Sequence, residues 1–206
     1  MTSNLVKISG IVVSELNKSY SYGSEDFYSF DINCFRLSGK ADRIHITISK
    51  LHLTGEVCNI GDYVYIIGTF RSQMYKHCEE GKKEVRYFVF ATDICLNEVS
   101  DIENQNSVEI LGEIVKIGKH RVTSSGRELI NVDLKVCRDY AKYDIIPCVI
   151  WGRRAIAISR QNKGTVLKCN GRIQEKRRYN NETMNVTYEL SCNEIEIIEP
   201  IVSKFA

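Results

Sequence analysis

The stretch "DIIPCVIWGRRA" (144–155) places the only tryptophan of the chain, Trp151, directly before a glycine and two arginines, Arg153 and Arg154. A flat indole ring can stack on a nucleobase, and guanidinium groups can bind phosphate. These residue types at this spacing therefore indicate contact with a nucleic-acid strand.

The direction of the tryptophan follows from strand alternation. If Ile146, Cys148 and Ile150 face a core, then Val149 and Trp151 face outward. An outward ring beside two arginines is well placed to bind bases. The alternative is a core tryptophan, because Trp is buried in most folds.

Further basic and aromatic residues surround this stretch in the second half of the chain. "GRIQEKRRY" (171–179) is predicted as a strand that sends alternate basic residues to one side, and "KIGKHRVTSSGR" (116–127) as a loop. The candidate contacts here are Lys119, Arg121, Arg127, Arg172, Lys176, Arg178 and Tyr179. A solvated basic hairpin is the alternative.

The first half of the chain offers a second set of candidates: Tyr22, Arg71, Tyr75 and Lys76. Residues 1–104 carry 11 Lys/Arg against 14 Asp/Glu, a net charge of −3, whereas residues 105–206 carry 17 against 12, a net of +5. An anionic partner is therefore expected mainly on the second half. The aromatic residues of the first half suit base stacking or a dimer face equally well.

The chain repeats itself at a shift of 102 residues. "NLVKISGIVV" (4–13) falls on "NSVEILGEIV" (106–115), and four further segments match in the same order within one residue of that shift. Ordered matches of this kind indicate a tandem duplication. We predict two domains, 1–102 and 103–206.

Each unit is predicted to be almost entirely β-structure. Apolar residues alternate in "RIHITIS" (43–49) and "DYVYIIG" (62–68), and the alternation stops after the third run in both units, at 50–61 and 152–164. Three strands, a short helix and two strands are the order of the OB-fold, a five-stranded Greek-key barrel. The predicted fold class is all-β, two tandem OB-folds with a short helix between strands 3 and 4. Two unrelated small β-sandwiches are the alternative.

Other function classes find little support. The eight cysteines occur singly, which favours reduced thiols in a cytosol over disulfides or a zinc site. No apolar stretch reaches the length of a membrane span, and the sequence contains no phosphate-binding loop, nucleophile elbow or zinc-protease motif. We expect a cytoplasmic, non-enzymatic protein with no metal, no cofactor and no membrane partner.

Four motifs follow one another across residues 107–198 of the second unit. They are Ser125-Gly126, Trp151-Gly152-Arg153-Arg154-Ala155, Lys163-Gly164 and Gly171-Arg172-Ile173. In this order they resemble the bacterial single-stranded DNA-binding protein family. The first unit resembles that family only indirectly, because it aligns with the second unit in the repeat.

The resemblance implies non-sequence-specific wrapping of single-stranded DNA around four OB-folds by a nucleoid-associated protein. Members with two folds in each chain reach four by dimerising, so it implies a homodimer here. Two features depart from the family: the sequence ends in "EPIVSKFA" rather than an acidic recruiting tail, and Ser49 stands in the first unit where the second has Trp151. The usual stacking position of the first unit is therefore expected to be empty.

The sequence thus predicts binding of single-stranded DNA by base stacking and phosphate contact, in replication, recombination or repair. Two alternatives stay open. One is a scaffold whose OB-folds dock proteins, such as a primosome-like or mobile-element factor, which the acidic first unit favours. The other is binding of single-stranded RNA, since no distinctive hydroxyl-reading motif separates the two nucleic acids.

Overall fold

Two tandem β-barrels account for nearly all residues that this computed structural model describes, which are 4–53, 58–76, 83–96, 105–139, 141–180 and 183–198. The first barrel contains β1 (Asn4–Val12), β2 (Asn17–Tyr22), β3 (Glu25–Phe35), β4 (Ala41–Ser49), a 3-10 helix (Lys50–His52), β5 (Tyr63–Lys76) and β6 (Lys83–Leu96). The second contains β7 (Asn106–Ile117), β8 (Arg121–Val122), β9 (Glu128–Cys137), β10 (Tyr143–Trp151), α1 (Arg153–Ser159), β11 (Val166–Asn180) and β12 (Thr183–Ile198).

Each barrel closes on itself through its first strand. The strand order is β2-β3-β4-β6-β5-β1 in the first half, and the additional pairing of β1 with β3 completes the ring; β7 and β9 do the same in the second half. Within each ring only β4–β6 and β10–β12 run parallel. A ring of five strands with four antiparallel pairings and one parallel pairing is the topology of the OB-fold.

The bend that lets β1 serve two neighbours lies at Gly10. The strand pairs with β5 from Val6 to Ile11 and then with β3 at Ile11 and Val12. A Cβ atom at Gly10 would lie 2.5 Å from the carbonyl oxygen of Asn33, so only glycine allows the two strands to approach this closely.

Alternating residues of each strand fill the barrel interiors. Ile8, Ile46 and Phe70 are fully buried in the first barrel, and Ile110 and Ile173 are fully buried in the second, at the positions equivalent to Ile8 and Phe70. Burial of this apolar surface supplies the main favourable free energy of folding.

The two barrels are joined through their first strands. β1 pairs antiparallel with β7, from Asn4 opposite Ile110 to Ile8 opposite Asn106, with Val6 opposite Val108 at the centre. Since the two strands are equivalent in the repeat, this pairing relates the barrels by a pseudo-twofold axis at its centre.

An arginine–aspartate pair in the first barrel fastens the second. Arg36 donates from Nε to Asp42 Oδ2 at 2.6 Å and from Nη2 to Oδ1 at 2.5 Å. The same Oδ1 accepts the backbone N–H of Glu175, on β11 of the other barrel, at 2.9 Å. Asp42 is 1% exposed, so its charge depends on these donors.

The equivalent pair in the second barrel, Arg138 and Asp144, makes the corresponding contact with the first barrel. Arg138 Nε lies 3.1 Å from Asp144 Oδ2, and Asp144 Oδ1 accepts the backbone N–H of Ser72 at 2.7 Å and its hydroxyl at 2.9 Å. Ser72 lies on β5, the strand equivalent to β11. The interface between the barrels is therefore clamped twice, once from each side.

The predicted fold class, all-β with two tandem OB-folds, is confirmed. The element between strands 3 and 4 is a seven-residue α-helix in the second barrel, whereas the described part of the equivalent segment in the first barrel contains a 3-10 turn over Lys50–His52. The segments predicted as first-to-second loops form the added strands β2 and β8. The predicted boundary between residues 102 and 103 lies outside the described residues.

Removal of one clamp should destabilise the whole chain. Asp144 is fully buried, and Asp144→Ala leaves the Arg138 cation without its counter-charge and the Ser72 N–H without its acceptor, which should cost about 3 kcal/mol in the free energy of unfolding. Urea denaturation followed by circular dichroism measures this loss. Asp93→Ala, at an exposed carboxylate, is the control and should change stability by less than about 0.5 kcal/mol. Equal unfolding midpoints for the two variants would contradict the clamp.

Candidate nucleic-acid interface

A sharp corner at Gly152 brings the tryptophan and two arginines together. β10 ends at Trp151, and Gly152 takes φ +69° before α1 begins at Arg153. This left-handed conformation favours glycine. Arg153 and Arg154 are exposed in the first turn of α1, where the helix dipole disfavours cations. Helix stability therefore does not account for them.

The indole of Trp151 is held in a fixed orientation. Its Nε1–H donates to the hydroxyl of Ser191 at 3.2 Å, across the parallel pairing of β10 with β12. The guanidinium carbon of Arg127 lies 4.8 Å from the ring centroid, in a cation–π contact. The ring is only partly buried, so it is both pre-organised and reachable from solvent.

These residues line an open groove of about 940 Å³, here called the Trp151 groove. Its charged and polar side chains are Arg36, Asn106, Arg127, Glu128, Trp151, Arg153, Arg154, Arg172, Gln174, Ser191 and Asn193. Arg36 comes from the first barrel and all the others from the second. The groove is therefore a composite of the two folds.

The charge of the groove is strongly positive. Five arginines line it, and Glu128 is the one acidic residue among its described lining. The carboxylate of Glu128 lies 2.6 Å from His120 Nε2. Within the described ranges, no carboxylate forms an ion pair with Arg153, Arg154 or Arg172. Such cations are available to an anionic ligand.

The structure brings five of the predicted contact residues into the groove and places others around it. Trp151, Arg127, Arg153, Arg154 and Arg172 line it. Lys119 and Arg121 are exposed on the adjoining loop and on β8, which pairs with the start of β9.

Lys176 lies apart from the groove. It forms an ion pair with Glu189 and borders a separate cavity with Lys116 and Pro147. The side chains of Arg178, Tyr179 and Lys76 lie outside the described residues, although their backbones belong to β11 and β5.

The prediction that Val149 is accessible to a ligand is wrong. Val149 is 4% exposed, and it sits between the buried Cys148 and Ile150. β10 is an interior strand, bonded to β9 and β12, and its end packs beside α1, so both of its faces are covered there. The equivalent Thr47 of the first barrel is buried to the same extent, so the burial belongs to the fold.

The candidates of the first barrel are not part of this groove. Arg71 lies over the ring of Phe90, with its guanidinium carbon 3.7 Å from the centroid, and Arg86 lies 4.4 Å over the ring of Tyr75. Tyr22 is 78% exposed on β2. Ser49, which replaces Trp151, is buried; its hydroxyl donates to Glu25 and accepts from Leu51 N.

Sequence reasoning missed two residues that shape the groove. Ser191 fixes the indole, and Arg36 enters from the other barrel. Arg36 and Arg138 are equivalent in the 102-residue repeat. Arg36 reaches the groove of the second barrel because β1 pairs with β7, and no local sequence pattern reveals that pairing.

No three His, Cys, Asp or Glu side chains come together as metal ligands within the described ranges. No helix in the described part of the chain has the length and apolar character needed to cross a membrane. The buried thiols of Cys34 and Cys58 have their pKa raised to about 11, chiefly by burial, so they are protonated at neutral pH.

Two solved structures match this chain over nearly its full length. The wild-type single-stranded DNA-binding protein from Thermus aquaticus is 16% identical, with a TM-score of 0.76 over 98% of this chain and 96% of that chain. A deletion variant of the same protein, also 16% identical, gives 0.77 over 98% of each chain. The chain has the fold of the Thermus aquaticus single-stranded DNA-binding protein. Because the match spans both barrels, the tandem arrangement is shared as well as the single OB-fold.

A shorter match covers less than half of this chain. The N-terminal domain of the PriB protein from Thermoanaerobacter tencongensis is 32% identical over 45% of this chain and 94% of that chain, with a TM-score of 0.39. No protein-family model and no curated protein matches the sequence. The resemblance read from the motifs is thus confirmed at the level of the fold, by the match to the Thermus protein.

The partial exposure of Trp151 predicts a small stability cost when it is removed. Trp151→Ala removes one hydrogen bond and one cation–π interaction, about 1.5 kcal/mol, whereas Ile150→Ala empties a fully buried position and should cost about 2–5 kcal/mol. Chemical denaturation of the two variants measures both costs. A larger loss for Trp151→Ala than for Ile150→Ala would show that the tryptophan is a core residue.

Proposed function

We propose that the chain binds single-stranded DNA without sequence specificity and without catalysis, through the Trp151 groove. The carrying observation is the pre-organised indole of Trp151 beside three arginines, Arg153, Arg154 and Arg172, that no described carboxylate pairs with. The ring offers a stacking face to any base, because every base has a π-face. The arginines supply the phosphate contacts that such binding needs.

Several features support single strands over duplexes. A base must leave a helical stack before it can lie on an aromatic ring, so a single strand pays the smaller cost. The groove lies across the end of β10 and the β11–β12 surface of an OB-fold, where strands and adjoining loops commonly bind oligonucleotides. The full-length structural match is to a protein named for binding single-stranded DNA.

The wider role we propose is protection of single strands during replication, recombination or repair, in the cytoplasm and at the nucleoid. Contacts of this kind hold the strand without reading its sequence, which suits intermediates that differ in sequence from one event to the next. Competition between dT and rU oligonucleotides of equal length separates this role from RNA binding.

Binding should be salt-sensitive and should be reported by the tryptophan itself. A long dT oligonucleotide should quench Trp151 fluorescence, and Trp151→Ala should weaken binding, measured by anisotropy of a labelled oligonucleotide, by about 1–3 kcal/mol. Combined replacement of Arg153, Arg154 and Arg172 by Ala should flatten the slope of log K against log salt by about 0.7 for each phosphate that is no longer neutralised.

Arg160→Ala provides the matched control, because Arg160 is exposed just after α1 and does not line the groove. It should leave affinity close to that of the wild type. Absence of dT binding at low salt would refute the proposed function. Binding that survives unchanged in Trp151→Ala would remove the tryptophan from the site.

We further propose that two chains associate into a homodimer with four OB-folds. Support comes from apolar side chains exposed on the two long hairpins, β5–β6 and β11–β12: Met74 is 61%, Val85 41% and Val186 43% exposed. Val85 and Val186 are close to equivalent positions in the repeat, so they place like surfaces on either side of the pseudo-twofold axis. A second copy would cover both.

Light scattering should give the mass of a dimer for the wild type. The double variant Val85→Asp/Val186→Asp should be monomeric, because association would bury unpaired carboxylates. Leu37→Asp is the control, since Leu37 is fully exposed in a separate turn and should not affect the mass. A monomeric wild type at micromolar concentration would overturn the dimer while leaving DNA binding untouched.

A further inference from the structure

The first barrel carries an aromatic cluster with one arginine. The cluster lies near the end of the parallel strand pair β4–β6, which is equivalent to the pair β10–β12 beside Trp151 in the second barrel. The rings of Tyr20 and Phe27 stack at 4.7 Å between centroids with an interplanar angle of 14°. Phe27 and Phe90 are 6.0 Å apart, and the Arg71 guanidinium lies over Phe90. We name these four residues, Tyr20, Phe27, Arg71 and Phe90, the Arg71 cluster.

In this cluster the aromatic residue and the serine have exchanged strands relative to Trp151 and Ser191. Phe90 pairs with Thr47 across β4–β6, and Ser191 pairs with Val149 across β10–β12, so Phe90 and Ser191 hold equivalent positions. In the second barrel the ring is on the third barrel strand and the serine on the fifth. In the first barrel the order is reversed, with Ser49 on the third strand and Phe90 on the fifth.

Both arrangements satisfy one packing constraint. The parallel pairing brings the ends of the third and fifth barrel strands to the same corner. The residues at these positions, Trp151 with Ser191 and Ser49 with Phe90, are in each barrel one ring and one small residue. The aromatic surface missing at Ser49 is therefore supplied from the neighbouring strand, and the stacking position expected to be empty is replaced by a displaced one.

Arg71 has the environment of an anion-binding group. Within the described ranges it forms no ion pair with a carboxylate; its Nε donates to the Thr69 hydroxyl at 2.9 Å. Burial lowers its pKa first and repulsion from Arg138 lowers it further, while Asp144 and Asp139 act in the opposite direction. Asp144 is already held by Ser72 and Arg138.

The pseudo-twofold axis relates the two clamping arginines, Arg36 and Arg138. Arg36 of the first barrel lines the Trp151 groove while paired to Asp42. Its equivalent, Arg138 of the second barrel, is paired to Asp144, and its positive charge contributes to lowering the pKa of Arg71. An arginine of the other barrel therefore adds to the positive potential at Arg71.

We infer that the Arg71 cluster is a second binding site for one nucleotide of the same single strand, with its base stacked on the open face of Tyr20 or of the Arg71 guanidinium and its phosphate bound by Arg71. Tyr20 is 37% exposed, and Tyr22, which follows it on β2, is 78% exposed. The stacked rings of the cluster are therefore open to solvent on the side of Tyr20. A guanidinium plane stacks on bases as an aromatic ring does. This inference rests on the proposed function and extends it from one barrel to both.

The test uses the full-length chain with Trp151→Ala as background, so that the remaining affinity reports the first barrel. An oligonucleotide of roughly one OB-fold site, about 4–16 nucleotides of dT, is titrated by fluorescence anisotropy. Adding Tyr20→Ala or Arg71→Ala should each weaken the residual binding by about 5-fold to 150-fold, the range for loss of one stacked base. Arg71→Lys should keep the salt dependence but lose most of the stacking contribution.

Arg86→Ala is the matched control, because Arg86 also lies over an aromatic ring of the same barrel but is ion-paired to Glu84. It should bind as the background does. Photocrosslinking of 5-iododeoxyuridine oligonucleotides provides a second measurement that does not depend on a folded variant, and it should label the peptide containing Tyr20 and Tyr22 in the wild type.

The outcomes separate the inference from the proposed function. If the wild type binds dT but Tyr20→Ala and Arg71→Ala bind as tightly as the background, and crosslinks are confined to the second barrel, the Arg71 cluster is not a nucleotide site. If the wild type itself fails to bind dT, the proposed function fails first.

Discussion

The antiparallel pairing of β1 with β7 is the constraint on which the rest of the molecule depends. It joins two rings that each close through the same strand, so β1 and β7 must satisfy three neighbours apiece. The reciprocal clamps, Arg36–Asp42 on Glu175 and Arg138–Asp144 on Ser72, fix the angle between the barrels around that pairing. Buried carboxylates tolerate little displacement of their donors, so the interface has one geometry.

That geometry places residues of both barrels in the Trp151 groove. An isolated second barrel would lack Arg36, and its groove would keep four arginines instead of five. Arg36 thus has two roles: it holds the aspartate that ties the barrels together, and it lines the Trp151 groove. One residue therefore contributes both to the interface between the barrels and to the candidate ligand surface.

The parts that the sequence could predict are local or periodic. Strand alternation and the 102-residue shift lead to two barrels, and the Trp151-Gly152-Arg153 corner can be read directly because three adjacent residues form it. What could not be read depends on contacts distant in sequence. The burial of Val149 comes from covering both faces of an interior strand, and the role of Ser191 comes from a parallel pairing 40 residues away. The α-helix that follows Trp151 and the 3-10 turn that follows Ser49 differ because the sequences of these two segments differ.

The exchange of ring and serine between neighbouring strands explains why a position-by-position reading of the first unit fails. Aligned alone, Ser49 means that an aromatic has been replaced by a small polar residue. Aligned as a pair with Phe90, it means that the corner keeps one large and one small side chain, as close packing requires. The property that the two barrels share is the filling of a common corner, and an aromatic surface can survive duplication and divergence on either strand that borders it.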